Sequence, residues 1–77
     1  MSTRIPIVTY KEFEKILIIL GFEPKRQSGS HIFYKHHDGR YTTLPFHGNQ
    51  DLGRPLIRQI LREIDLTPEE FVTLINK

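Results

Sequence analysis

The dipeptide Asp38-Gly39 constrains the fold more than any other feature of this sequence. It lies between two runs that are rich in β-branched and aromatic residues. Asp-Gly in this setting is a strong signal for a β-hairpin, because the favoured tight turn requires positive φ angles. We therefore predict a hairpin over residues 32–45. A two-residue turn sets four cross-strand pairs: His37 with Arg40, Tyr34 with Thr43, Phe33 with Leu44, and His31 with Phe46.

The histidine at the open end of this hairpin follows the dipeptide Gly29-Ser30. This connection delivers the imidazole of His31 to the first position of a strand. Such a placement suits a catalytic histidine, and it is equally compatible with a histidine that is merely exposed. The residues alone leave both interpretations open.

Positive charge is concentrated around this histidine. The segment from residue 25 to residue 40 carries a single acid, Asp38, although the whole chain has a formal net charge of only +2 and a pI near 9.2. Such clustering favours an anionic partner. The basic side chains of the segment are Lys25, Arg26, Lys35 and Arg40, together with His31, His36 and His37.

Length and composition narrow the classes of protein that are possible. Seventy-seven residues are enough for one small domain, which we assign to residues 1–77. The absence of cysteine excludes disulfides and thiolate metal sites and is compatible with a reducing compartment such as the cytoplasm. No apolar run approaches the roughly 20 residues that span a bilayer, and the first residues lack the apolar core of a signal peptide. We expect no membrane association.

Helix signals flank the hairpin on both sides. Thr9 and Glu12 have the spacing of a capping box, an apolar stripe of period 3.6 follows, and Gly21 is placed to end the helix. We predict helices over residues 9–20 and 55–64, and a short third helix that starts with the capping box of Thr67 and Glu70. Residues 22–27 are predicted to form a strand, which Pro24 restricts to an edge or a bulge.

These elements predict an α+β domain of order α-β-β-β-α with a short C-terminal helix. Three antiparallel strands would have two main helices on one face. The double-stranded-RNA-binding fold has this order, and such folds recognise A-form RNA by its shape and backbone. A fold alone does not establish a function.

Three segments together resemble the HicA family of toxins. They are residues 21–31, which end in Gly-Ser-His, residues 36–45, which contain Asp-Gly-Arg, and the Arg-Gln-Ile-Leu-Arg helix of residues 58–62. The resemblance covers nearly the whole chain. Two positions depart from the family pattern: His37 replaces a usual proline, and Gly53-Arg54-Pro55 replaces a commoner Gly-Thr.

The resemblance implies a toxin of a type II toxin–antitoxin pair with the double-stranded-RNA-binding fold. Such a toxin is an mRNA-cleaving endoribonuclease that needs no metal ion or other cofactor, and a HicB-type antitoxin neutralises it. The catalytic histidine of the family corresponds to His31, which would act as general acid or base. The residues expected to contact RNA are Lys25, Arg26, Gly29, Ser30, Lys35, Arg40 and His47.

Other candidate side chains have a structural explanation beside a functional one. His36 and His37 are adjacent at a strand end, so they should point to opposite faces, which disfavours a shared metal ion. The arginines at positions 54, 58 and 62 form either a solvated helix face or a surface for RNA or an acidic partner. Tyr34 and Tyr41 are interpreted as packing residues, with base stacking as the alternative. We predict that four aromatic residues lie in the core: Phe13, Phe22, Phe33 and Phe71.

Two functions from different classes remain open. One is the metal-independent endoribonuclease toxin, and the other is a non-catalytic RNA-binding module on the same fold, in which His31 only contacts a phosphate. RNA-binding domains of this fold usually present a lysine-rich start of the second helix, and here that helix offers Arg54 and Arg58. This difference favours the toxin.

Overall fold

The computed structural model describes residues 4–46 and 51–76. In these ranges the three strands form one antiparallel sheet in the order β1-β2-β3, and three helices accompany it. The predicted α+β class and element order are confirmed. The elements are α1 (Tyr10–Ile19), β1 (Phe22–Ser28), β2 (His31–His36), β3 (Tyr41–Pro45), α2 (Arg54–Glu63) and α3 (Pro68–Ile75).

Capping boxes start α1 and α3, as the sequence predicts. The Thr9 hydroxyl accepts the backbone N–H of Glu12, and the Glu12 carboxylate accepts the Thr9 N–H at 2.8 Å. Thr67 and Glu70 make the same exchange at 2.9 Å. Each box satisfies two backbone donors that a helix start otherwise leaves without a partner. The hydrogen bond from the Thr9 N–H also holds the pKa of Glu12 below its ordinary value.

The helices cover one face of the sheet and build the core there. α1 contacts β1 and β3, α2 contacts β3, and α3 contacts the other two helices. The rings of Phe13 and Phe71 pack with their centroids 5.1 Å apart, which joins α3 to α1. All six elements contribute to this core, but β1 does so only through its first residue. Its fully buried members include Phe13, Leu17, Phe22, Tyr34, Leu44, Ile57, Ile60 and Phe71.

The hairpin between β2 and β3 has a loop of three residues, so the predicted register is wrong by one position. The His36 N–H donates to the Arg40 carbonyl at 2.8 Å, and the Gly39 N–H donates to the His36 carbonyl at 3.0 Å. Gly39 takes a φ of +102° as the third loop residue. The Asp38 carboxylate accepts the Arg40 N–H at 3.0 Å and fixes the loop. The observed pairs are His31–Pro45, Ile32–Leu44, Phe33–Thr43, Tyr34–Thr42 and Lys35–Tyr41.

The prediction that Phe33 lies in the core is also wrong. Side chains alternate between the two faces of a strand, and β2 buries Tyr34 while it leaves Phe33 half-buried on the opposite face. The Tyr34 hydroxyl donates to the Glu14 carboxylate, which also accepts the Tyr10 hydroxyl at 3.1 Å. Burial and the hydrogen bond to Glu14 both raise the pKa of Tyr34. Tyr34 is therefore a packing residue.

A bulge interrupts β1 where the sequence predicts it. The pairing of β1 with β2 shifts between Pro24 and Arg26, and β1 is an edge strand, so the missing N–H of proline is tolerated there. Beyond the bulge, Arg26 and Ser28 lie opposite Phe33 and His31. The bulge thus decides which side chains of β1 share a face with His31.

Gly21→Ala should reduce the free energy of unfolding by more than backbone strain alone. Gly21 follows α1 with a φ of +98°, and a Cβ there would lie 3.0 Å from Nε2 of the buried His36. A left-handed non-glycine residue costs about 1–2 kcal/mol. Gly39→Ala is the control, because its φ is +102° and, apart from its two chain neighbours, no described residue lies within 4 Å of its added Cβ. Urea unfolding measures both losses, and equal losses would show that the contact with His36 is unimportant.

Candidate functional site

The imidazole of His31 is exposed at the first position of β2. This position is the open end of the hairpin, where β2 has a neighbour on each side. Ser28 of β1 and Pro45 of β3 lie directly opposite His31. The backbone that carries the imidazole is therefore fixed by sheet pairing, while the ring itself remains accessible to a ligand.

Two hydrogen bonds, one from β1 and one from the residue after β3, fix the turn that precedes His31. Gly29 takes a φ of +59°, which glycine adopts without a steric penalty. The Gln27 side-chain amide donates to the Gly29 carbonyl at 3.2 Å, and the Phe46 N–H donates to the Ser30 carbonyl. Apart from its two chain neighbours, no described residue lies within 4 Å of the position that a Cβ on Gly29 would take. A ligand can therefore approach this backbone closely.

The solvent-facing side of the sheet carries the cations that share a face with His31. We call it the outer face and define it by Arg26, His31, Phe33, Lys35 and Tyr41, together with Glu23, Ser28 and Thr43. Alternate side chains along a strand are about 7 Å apart, so Phe33 lies one such step from His31 and Lys35 lies two. The Arg26 guanidinium sits over the Phe33 ring, 5.9 Å from its centroid. The outer face thus combines an imidazole, cations and aromatic rings.

Lys25 lies in the bulge of β1 and pairs with Glu23 at 3.1 Å. Both side chains are largely exposed, and such pairs contribute little because water screens them. A stronger anion can therefore displace Glu23 from Lys25. The ion pair reduces the positive charge of the outer face without removing it.

The structure holds the Arg40 side chain away from His31. The Arg40 guanidinium donates to the Asp38 carboxylate at 2.8 Å and to the Ile64 carbonyl at the end of α2, and it lies 5.3 Å from the centroid of Phe22. The backbone N–H of Arg40 and then its guanidinium hold the pKa of Asp38 below its ordinary value. These contacts give Arg40 a structural role. Its predicted contact with RNA stays a prediction.

His36 and His37 lie together, so the prediction that they point to opposite faces is wrong. Their rings stack at 4.2 Å, because His37 belongs to the three-residue loop and not to the strand. His36 is buried: its Nε2 donates to the Leu20 carbonyl at 3.1 Å, and its Nδ1 accepts the Asp38 N–H at 3.1 Å. Residues 4–46 and 51–76 contain no group of three or more His, Cys, Asp or Glu side chains that could hold a metal ion.

A cleft of about 320 Å³ adjoins His31 where the edge of β3 meets α2. Its polar lining includes Gln59 and Glu63 of α2, and the Glu63 carboxylate accepts the buried Thr42 hydroxyl at 2.7 Å. The sequence patterns do not predict these α2 side chains as part of the site. The one signal in the sequence is the spacing of Gln59 and Glu63, which are one helical turn apart and therefore share a face of the helix.

Two other sequence candidates fall outside this arrangement. His47 lies outside the described residues, so its predicted contact with RNA stays a prediction. Gly53 is the N-cap of α2 without a side-chain cap, and the Arg54 guanidinium donates to the Ile5 carbonyl at 2.7 Å. Arg54 thereby ties α2 to the N-terminal segment, while Arg58 and Arg62 are exposed.

The fold and the site define a small α+β protein that presents an exposed histidine among cations and aromatic rings on an open sheet face. The model of one protein family, described as the HicA toxin of bacterial toxin–antitoxin systems, matches residues 10–66. The chain belongs to this family and is thus the toxin component of a toxin–antitoxin system. No curated protein matches the chain. Within the part of the chain that the structure describes, no helix is long and apolar enough to cross a membrane.

Proposed function

We propose that this toxin is an endoribonuclease that cleaves mRNA without a metal ion, with His31 as general acid or base. The observation that carries the proposal is the position of His31, exposed on the outer face beside Arg26 and within reach of a ligand. Imidazole titrates near pH 6.5, so it exchanges protons readily at cellular pH. Membership of the HicA family supports the same assignment, because the resemblance in sequence puts His31 in the position of the Gly-Ser-His motif.

RNA supplies the nucleophile for this reaction. The 2′-hydroxyl oxygen attacks the adjacent phosphorus, and the bond from phosphorus to the 5′-oxygen of the next nucleotide breaks. One proton leaves the 2′-oxygen and one is delivered to the departing 5′-oxygen, which gives a 2′,3′-cyclic phosphate and a 5′-hydroxyl. His31 carries out one of these two transfers. Because no water molecule is consumed in this step, an activated metal hydroxide is unnecessary.

Cationic side chains and backbone N–H groups near His31 would bind the phosphates of the RNA. Arg26 lies diagonally opposite His31 across the β1–β2 pairing, a separation of about 7–8 Å that suits the scissile phosphate or its neighbour. Lys35 is farther along β2 and would hold a phosphate of an adjacent nucleotide, with Lys25 beside it on β1. Gly29 and Ser30 would bring their backbone close to a phosphate at the start of β2. Donors fixed in this way stabilise the developing negative charge.

A HicB-type antitoxin would silence the enzyme by covering His31 and the basic outer face. Family membership implies an antitoxin partner. Because His31 is exposed, an antitoxin that covers it would be enough to block cleavage. The proposed site of action is the cytoplasm, where mRNA is translated. Both statements rest on the proposed nuclease activity.

The purified toxin should cleave a long single-stranded RNA in the presence of EDTA. The 5′ fragments should end in a 2′,3′-cyclic phosphate and the 3′ fragments should begin with a 5′-hydroxyl, because the 2′-oxygen is the nucleophile. Enzymatic labelling of the ends identifies both groups. A substrate with 2′-O-methyl groups throughout is the control and should remain intact. Cleavage that requires a divalent metal and leaves 5′-phosphates would contradict the mechanism, and no cleavage with or without metal would favour the RNA-binding module.

A further inference from the structure

We propose that the outer face is a stacking platform for single-stranded RNA, on which bases lie against Tyr41 and Phe33 while the backbone runs past His31. The inference rests on four groups that lie together on the outer face: two aromatic rings, a guanidinium and the imidazole of His31. It rests on the proposed function for the identity of the ligand, and it assigns the substrate class and two contact residues.

The two aromatic rings of the outer face lie next to each other, and the ring of Tyr41 is largely exposed while that of Phe33 is half-buried. Tyr41 is 60% exposed, and its ring lies 5.6 Å from that of Phe33, at an interplanar angle of 39°. The solvent face of a two-layer antiparallel sheet is ordinarily polar, since the apolar side chains face the core. Neither ring contributes to the buried core beneath the sheet. Their presence on this face is therefore better explained by a ligand with flat apolar surfaces than by packing.

The charge next to these rings indicates that the ligand is a nucleic acid. Lys35 lies directly opposite Tyr41, and the Arg26 guanidinium lies over Phe33. Among the residues that define this face the one acid is Glu23, which is already paired with Lys25. Aromatic rings interleaved with cations are the combination that binds single strands, since rings stack on bases and cations contact phosphates. Guanidinium planes stack on bases as well.

The exposed ring of Tyr41 also favours single-stranded RNA over duplex RNA as the ligand. In a duplex the bases are stacked on one another, and their faces are closed to a protein side chain. A flat sheet face can instead hold unstacked bases in a row. The steps of about 7 Å between His31, Phe33 and Lys35 are comparable to the length of one extended nucleotide, so one base can lie on Phe33 while a neighbouring phosphate reaches His31.

Replacing Tyr41 with alanine should weaken the binding of single-stranded RNA specifically. The probe is a 2′-O-methyl RNA, which the proposed mechanism cannot cleave, used as a single strand and as a duplex. We expect the Kd of Tyr41→Ala for the single strand to rise roughly 5- to 150-fold, the loss that follows from removing one stacked base. The Kd for the duplex should stay unchanged. Tyr41→Phe retains the ring and should bind the single strand like the parent.

The salt dependence separates stacking from charge. Tyr41→Ala removes no charge, so the slope of log K against log salt should equal that of the parent protein. Lys35→Ala removes a phosphate contact and should give a slope shallower by about 0.7. Phe33→Leu tests the second ring with little change of volume. Ile19→Ala, which removes an exposed apolar side chain from α1, is the control and should bind like the parent.

Tyrosine fluorescence reports the contact directly. The chain has three tyrosines and no tryptophan, and Tyr10 and Tyr34 are buried. Titration with the 2′-O-methyl single strand should quench the emission of the parent protein, and the quenching should be absent in Tyr41→Ala. The duplex should leave the emission unchanged.

An unchanged Kd of a folded Tyr41→Ala for the single strand would overturn the proposal, as would equal losses for single strand and duplex. If Tyr41→Ala binds the single strand normally but no longer co-purifies with the antitoxin, the outer face is a protein interface and the proposal is wrong. These measurements involve no cleavage. If Tyr41 proves not to bind RNA, the assignment of His31 as the catalyst is unaffected. If His31 proves not to be the catalyst, the result of the binding experiment is unaffected.

Discussion

Phe71→Ala is expected to reduce the free energy of unfolding by about 3–5 kcal/mol. Phe71 is fully buried in α3, and its ring packs on Phe13 of α1. A chain of 77 residues has a total stability of roughly 4–12 kcal/mol at ordinary values per residue, so this single substitution should remove between about a quarter and all of it. Urea unfolding followed by circular dichroism gives the value.

This prediction tests whether α3 belongs to the core of the toxin. The family match ends at residue 66, whereas α3 spans Pro68–Ile75. Val72→Ala is the matched control, because Val72 is the helical neighbour of Phe71 and lies outside the core cluster. We expect a loss below about 1 kcal/mol for this control. Equal and small losses for both variants would show that α3 is an appendage.

The parts of the fold that the sequence predicts correctly depend on local chemistry. A capping box needs only two side chains three residues apart, and those at Thr9 and Thr67 form as predicted. Gly21 adopts its left-handed conformation, and Pro24 coincides with a bulge on an edge strand. In each case the outcome depends on the residue itself and on its near neighbours in the sequence, so distant contacts are not needed to make the prediction.

The register of the hairpin failed because Asp-Gly fits two turns of different length. Gly39 has a positive φ in both, but the structure adds His37 to the loop and moves every cross-strand pair by one position. The core assignment of Phe33 has a second cause. His31, Phe33 and Lys35 share one face, so the exposure of the two polar residues already implies that Phe33 faces solvent and Tyr34 the core.

The candidate site likewise has a part that the sequence predicts and a part that depends on how the elements pack. The sequence predicts His31 and the cations of β1 and β2 as site residues, and the structure places them on neighbouring strands of one sheet. Gln59 and Glu63 reach the cleft beside His31 only through the way α2 packs on the edge of β3. A helical stripe predicts which side of a helix is buried, but it does not predict which strand that side meets. The sequence allows base stacking as an alternative role for Tyr41, but it does not predict the contact of Tyr41 with Phe33, which depends on the observed register.

His31→Ala should abolish most cleavage while leaving the fold and RNA binding in place. General acid–base catalysis typically contributes about 10²–10⁴-fold to the rate, and the variant loses the imidazole that supplies it. The side chain is exposed, so the free energy of unfolding should change by less than about 0.5 kcal/mol. Phosphate contacts dominate affinity, so the Kd for 2′-O-methyl single-stranded RNA should remain close to that of the parent.

The matched control is His37→Ala. His37 is an exposed histidine in the hairpin loop, at the opposite end of the six-residue strand β2 and thus about 20 Å from His31. Its removal deletes an imidazole of the same kind without touching the proposed site. We expect its cleavage rate to equal that of the parent, which excludes a general effect of losing one basic side chain.

The most direct measurement is the single-turnover cleavage rate of one single-stranded RNA in EDTA, determined for the parent protein, His31→Ala and His37→Ala. The account predicts about 10²–10⁴-fold slower cleavage by His31→Ala and an unchanged rate for His37→Ala. A folded His31→Ala that cleaves this RNA at the rate of the parent protein would contradict the assignment of His31 as the catalytic residue.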